Sequence, residues 1–325
     1  MKNITILCGA LFLLIASCNN PKPSAPKEAS FFLPSPTTYN YIKVKDVKLF
    51  YREAGDPSKP TIVLLHGYPS SSHTYRNLIP MLASHYHIIA PDNLGSGYSD
   101  HPSPETTNYT FDLLSEHTNE LLSLLNIDDY IMYMQDFGAP VGYRMMMKDP
   151  KRIKALIVQN ANAYLDGLTQ KRQDFFRNAQ QDTSQKEIDF LYSITSKEVI
   201  INKQYLFDID ATNYKIQSPD AWTHDLAFLE SKSDRNIQVQ LFQDYYTNLL
   251  SYPSWQKMLK KTQPKTLITW GAKDLKFNAN GAKAYLRDLP NAELHLLDAG
   301  HFAAEEKTRE IAELILKFLD ENDVE

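Results

Sequence analysis

The chain has 325 residues, enough for one large α/β domain with an inserted subdomain or for two domains. With 43% hydrophobic and 22% charged residues it has the balance of an ordinary globular protein. A net charge of −5 and the lack of a long basic run argue against nucleic acid as a partner, and no repeat of solenoid period is present.

The chain opens with Lys2 and a short apolar run, "ITILCGALFLLIAS", that ends at Cys18. A positive charge, an apolar stretch and small residues before a cut mark a signal peptide, here over residues 1–17. "LIASC" resembles a bacterial lipobox, which implies that Cys18 becomes the lipidated first residue of an exported, envelope-anchored lipoprotein on the periplasmic or surface side. A plain secretory signal cut nearby is the alternative. Residues 18–40, rich in Pro and Ser and without apolar periodicity, read as a tether holding a folded domain off the membrane. The other cysteine, Cys8, sits inside the leader, so the folded part has no disulfide, no cysteine ligand and no cysteine nucleophile. Past the leader no run is apolar enough to span a bilayer.

From Tyr41 the pattern turns β-rich. "YIKV" and "VKLFYREAG" read as an opening hairpin, and "TIVLLHG" as a buried parallel strand. A helical stretch at 75–84 leads to the strand "HYHIIAPD" and the loop "NLGSGYSD". Then come an amphipathic helix at 110–126, the strand "DYIMYMQD", a helix at 138–148 and the strand "IKALIVQNA". This alternation predicts a doubly wound, mostly parallel sheet with its first core part at 41–163. Residues 164–263 are helical, aromatic-rich and free of strand runs, which predicts a helical cap inserted after the sixth strand. The second core part, 264–325, resumes the alternation with "KTLITWGAKD", a helix at 280–289, "AELHLLDAGH" and a helix at 308–322. A cap in that place covers the carboxyl edge, where open α/β sheets bind ligands.

Four motifs end predicted strands: "HGYP" from His66 to Pro69, "MQDFG" around Asp136, "GAKD" ending at Asp274, and "AGHF" around His301. Singly each is weak. An aspartate after a strand is often a helix cap, and a histidine there is often structural. Together they give the order nucleophile, acid, histidine, which is the triad order of α/β hydrolases. From "HGYPSSSHTYRNLIPML" through "PDNLGSGYSD", "MQDFGAPVG" and "GAKD" to "AGHFAAEE", the chain resembles that superfamily over residues 41–325. More narrowly it resembles the aspartate-nucleophile branch, the epoxide hydrolases and haloalkane dehalogenases. The resemblance implies the α/β-hydrolase fold, Asp136 as nucleophile, Asp274 as acid and His301 as base. It implies an oxyanion hole made by the backbone N–H groups of Tyr68 and Phe137. A carboxylate at that place displaces a leaving group from a saturated carbon, and water activated by the histidine then hydrolyses the enzyme ester. A serine there would suit acyl transfer.

An epoxide needs O–H donors and a halide needs N–H donors. In the family the epoxide donors are two cap tyrosines, and the halide donors are a Trp after the nucleophile with an Asn or a cap Trp. Here Phe137 follows Asp136 and Tyr68 follows His66-Gly67, so both usual halide positions are changed. The cap segment "DYYTN" resembles the stretch that carries one ring-opening tyrosine, which aligns Tyr246, with Tyr245 beside it. The segment expected to carry the other, "DFFRN", has Phe175 and Phe176, leaving Tyr164 and Tyr205 as substitutes. Against this, "MQDFG" looks more like the dehalogenase turn, and Trp222 and Trp255 are available indoles. Epoxide hydrolysis to vicinal diols is the expected activity, with haloalkane dehalogenation as the alternative. A binding protein on the same fold is a further one, which a complete triad argues against. The substrate pocket is expected to include His66, Pro69, Tyr164, Tyr245, Trp222 and Trp255. The partner is a small-molecule substrate, with no cofactor. No metal site is expected, since His66, His85, His87 and His295 lack ligand spacing. His85 and His87 read as partly exposed edge residues. The sequence carries no signal for oligomeric state.

Overall fold

Buried parallel strands need apolar side chains on both faces, and the runs read above supply them. In the computed structural model, which describes residues 36–324, eight strands form one sheet. They are β1 (Thr38–Val44), β2 (Val47–Ala54), β3 (Thr61–Leu65), β4 (His87–Pro91), β5 (Tyr130–Gln135), β6 (Ile153–Gln159), β7 (Lys265–Gly271) and β8 (Glu293–Leu297). Their order is β1-β2-β4-β3-β5-β6-β7-β8, and only β2 runs against its neighbours. The leader, Cys18 and most of the tether lie outside the described residues.

Alternation along the central strands divides the core into two layers. Tyr130, Met132 and Met134 of β5 join one apolar cluster, while Ile131 and Tyr133 join the other. The first layer is covered by helices α1 (Phe111–Leu124) and α2 (Gly138–Lys148), and α1 is capped by the Thr110 hydroxyl accepting from Leu113 N–H at 3.1 Å. Between β6 and β7 come α3 (Gln170–Gln181), α4 (Gln185–Ile194), α5 (Pro219–Ala227), α6 (Lys232–Asp244) and α7 (Tyr246–Thr262), with no strand among the described residues of this insertion. The last long helix, α8 (Thr308–Glu321), packs on the second layer with Ile311, Ile315 and Phe318.

Two expectations need correction. Strand β1 begins at Thr38, because Thr38 pairs with Glu53 of β2, so ladder pairing takes in the last residues assigned to the tether. His87 is not an edge residue. Strand β4 lies inside the sheet between β2 and β3, and His87 is buried, with Nε2 at 2.9 Å from Glu53 and Nδ1 at 3.0 Å from Thr61 Oγ1. His85 precedes the strand and is exposed.

Candidate active site

Asp136 leaves β5 with φ at 48°, in the left-handed region where a side chain is strained. Buried strand before it and helix α2 after it hold the turn in place. Two glycines make the turn possible: a Cβ on Gly67 would overlap Asp136, and one on Gly138 would overlap the Leu65 carbonyl. The Asp136 side chain does not cap α2: the residue at the N-cap position is Phe137, and no side-chain cap is made there. Its Oδ1 instead accepts the Tyr68 N–H at 2.7 Å. The helix-cap alternative is therefore excluded by the direction of the carboxylate.

His301, in the turn after β8, presents Nε2 at 3.5 Å from Asp136 Oδ2 and Nδ1 at 2.7 Å from Asp274 Oδ2. Asp274, after β7, also accepts the N–H groups of Lys276 and Phe277 at 2.8 and 2.9 Å. All three side chains are buried. Burial works against a charge on His301, but the Asp274 charge and the hydrogen bonds to Asp136 and Asp274 outweigh it and raise its pKa from 6.5 to about 9. Burial likewise disfavours the Asp274 anion, and His301, Lys276 and the backbone donors overcome it, lowering its pKa. The arrangement can hold a nucleophilic carboxylate, a proton acceptor and an N–H donor around one reacting carbon.

Two supporting residues were not singled out from the sequence. Asn160 donates from Nδ2 to Asp274 Oδ2 at 2.7 Å, and its backbone carbonyl accepts the Asp136 N–H at 3.3 Å. It follows β6 as Asp136 follows β5, and that matching position was the available signal. Asp208 reaches in from the cap and accepts the His301 N–H at 3.0 Å. Nothing in the local sequence marks it.

The remaining expected residues divide. Tyr245 is buried and stacks on Phe176 with ring centroids 3.9 Å apart and against Phe137 at 5.3 Å. The Asp136 charge bears on Tyr245 and on Tyr252, whose hydroxyl is buried without a well-aligned partner. Burial pushes both phenols above their usual pKa, so both are protonated donors. Tyr246, the aligned position, is half-buried at the edge of the core and donates no hydrogen bond among the described residues. Helix geometry explains the exchange, since adjacent residues point about 100° apart. Tyr164 is directed elsewhere, its hydroxyl donating to Asp288 at 3.0 Å. Trp255 stacks on Tyr143 at 4.8 Å, and Trp222 packs on Tyr205 at 5.7 Å, so neither indole is brought to Asp136. His66 has both ring nitrogens committed, Nδ1 to the Gly67 carbonyl and Nε2 to the Asn93 N–H, each at 3.0 Å. Burial lowers its pKa, so it is a neutral brace for the loop and offers no polar atom to a substrate. Pro69 is buried beside Tyr68 in the same loop. Among the described residues no group of His, Asp and Glu has the arrangement of a metal site.

A family model described as "alpha/beta hydrolase fold" matches residues 60–308. An uncharacterized hydrolase of Saccharomyces cerevisiae is 39% identical, over 87% of this chain and 98% of its own. A haloalkane dehalogenase of Psychrobacter cryohalolentis is 27% identical over 87% and 92%. Epoxide hydrolase 1 of Caenorhabditis elegans is 24% identical over 86% and 70%.

Proposed function

We propose that this chain, which belongs to the α/β-hydrolase family, is an epoxide hydrolase working through an alkyl ester on Asp136. Asp136 Oδ1 is held by the Tyr68 N–H, which leaves Oδ2 to attack the epoxide carbon. The opening oxygen takes a proton from a cap phenol, Tyr245 with Tyr252 behind it. His301, oriented by Asp274, then draws a proton from water as the water attacks the ester carbonyl. The Tyr68 and Phe137 N–H groups receive the charge that develops on Oδ1. The ester then breaks between Cγ and Oδ2, so the vicinal diol leaves with Oδ2 as its second oxygen, and the water oxygen stays in the regenerated Asp136 carboxylate.

The observation that carries this reading is the kind of donor near the nucleophile: buried phenols bear on Asp136, while Trp222 and Trp255 pack elsewhere. Haloalkane dehalogenation is the second reading, favoured by the relative of that name. Product analysis decides between them. The purified chain is offered terminal epoxides and bromoalkanes of matched length, and diol and bromide are measured. Bromide release without diol formation makes the dehalogenase reading the correct one. Binding of both without turnover makes the chain a receptor.

Attachment to an envelope membrane through Cys18 is part of the same proposal. It rests on the leader "ITILCGALFLLIASC". No helix among the described residues is long and apolar enough to cross a membrane.

A further inference from the structure

The chain has nine arginines. Eight of them donate from the guanidinium to an acceptor among the described residues, as Arg76 does to Glu305 and Arg144 to Asn248. Arg172 on α3 is the exception. No hydrogen bond or ion pair joins its side chain to the described residues, and its Nε is buried without an acceptor.

Its position is not peripheral. The guanidinium lies over the rings of Phe175 and Phe176, at 5.4 and 5.3 Å from their centroids. Phe176 stacks on Tyr245, and Tyr245 packs on Phe137, the neighbour of the nucleophile. The charges of Asp136 and Asp274 both act on Arg172, yet neither carboxylate bonds to it. Asp136 is engaged by Tyr68 and His301, and Asp274 by Asn160, His301, Lys276 and Phe277.

Stacking on phenyl rings satisfies the flat faces of a guanidinium and leaves its edge unused. The N–H donors radiate from that edge in the plane, Nε is buried without an acceptor, and no protein acceptor among the described residues takes the terminal N–H groups of the half-buried side chain. A planar acceptor with two oxygens matches the edge, and a carboxylate does so with two parallel bonds. With the protein's own nearby carboxylates committed, that edge is available to a ligand's carboxylate.

We propose that Arg172 binds a carboxylate on the substrate, so that the chain acts on an epoxide carrying an acid group. The reacting group rests on the function proposed above; the anion site does not.

The test separates the two. Calorimetry on the full chain measures hexanoate and its neutral analogue hexanamide, in the unchanged protein and in Arg172→Met and Arg172→Lys. Methionine keeps an apolar stem on the two rings, and lysine keeps the charge without the planar fork. Hexanoate is expected to bind the unchanged protein more tightly than hexanamide. The Met variant should weaken hexanoate at least tenfold, as expected when one partner of a desolvated charge pair is removed, and the Lys variant should lie between. In kinetics, the kcat/KM ratio of 5,6-epoxyhexanoate to 1,2-epoxyhexane should fall at least tenfold in Arg172→Met. Should the Met variant lose its melting transition, the Lys variant alone decides by the same ratio. Hexanoate binding that is absent from the unchanged protein, or equal in all three proteins, overturns the proposal. Arg172-dependent binding of hexanoate with no epoxide opened upholds the anion site and removes the epoxide reading.

Discussion

The Asp208 carboxylate of the cap accepts the backbone N–H of His301 at 3.0 Å. The same oxygen lies 3.5 Å from Lys276 Nζ, two residues beyond Asp274. One cap side chain therefore touches both loops that carry the acid and the base. Asp208→Ala should slow hydrolysis of the ester by about tenfold to a hundredfold, the range for a small displacement of a catalytic group. Ester formation should change little. Asp208→Asn, which keeps an acceptor, should recover most of the rate. Single-turnover measurements of the two steps check this, and equal slowing of both would count against a positioning role.

His301 serves only the second step in this scheme. His301→Gln should therefore accumulate an ester on Asp136, seen as added substrate mass on the intact protein and localised by peptide mapping. Asp136→Asn should show neither adduct nor turnover. A His301→Gln protein that binds epoxide but gains no mass would sink the two-step mechanism.

The tyrosine packed against Phe137, the residue after the nucleophile, is Tyr245, not the aligned Tyr246. Tyr245→Phe keeps the stack on Phe176 and removes only the hydroxyl, so the melting temperature should hardly move. Ring opening should slow by roughly tenfold to a thousandfold, as when one positioned acid or oxyanion donor is lost. Tyr246→Phe should stay close to the unchanged enzyme. The reverse ranking in epoxide kinetics would return the donor role to Tyr246.

With a pKa near 9 in the resting site, His301 is protonated at neutral pH. Forming the ester removes the negative charge of Asp136, one of the groups that raises that pKa, so His301 becomes easier to deprotonate. The neutral imidazole is the base. Decay of the ester should therefore speed up with rising pH, through a midpoint below the resting value of about 9. Asp274→Asn removes the strongest charge favouring imidazolium and should move the midpoint lower still. Rapid-mixing measurements of ester decay across pH test this, and a flat profile contradicts it.

Cys18→Ala should release the chain from the membrane fraction, because stable anchoring needs more than one acyl chain and the proposed lipid supplies them there. Fractionation with intact mass determination is the check. A lipid-free, unanchored chain in both forms would exclude the lipoprotein proposal.

The strands, the mostly parallel sheet with its helical insertion, and the strand-end places of Asp136, Asp274 and His301 were legible in the sequence. Apolar runs have a period that local chemistry sets, and a parallel sheet brings its strand ends to one edge, so Asp136, Asp274 and His301 had to converge. The strained turn at Asp136, and the need for glycine at 67 and 138 beside it, came only from the structure. The tertiary structure alone also decided the cap. Helices place side chains at angles that depend on how each one sits on its neighbours, so a one-residue difference moved the facing phenol from Tyr246 to Tyr245. The same packing stacked Trp255 on Tyr143 and set Trp222 against Tyr205, and the loops after β3 and β4 took up both ring nitrogens of His66. It also brought Asp208 onto the base and left Arg172 stacked with its edge unpaired. These relations join segments far apart in the chain, and no local pattern encodes the distance between them.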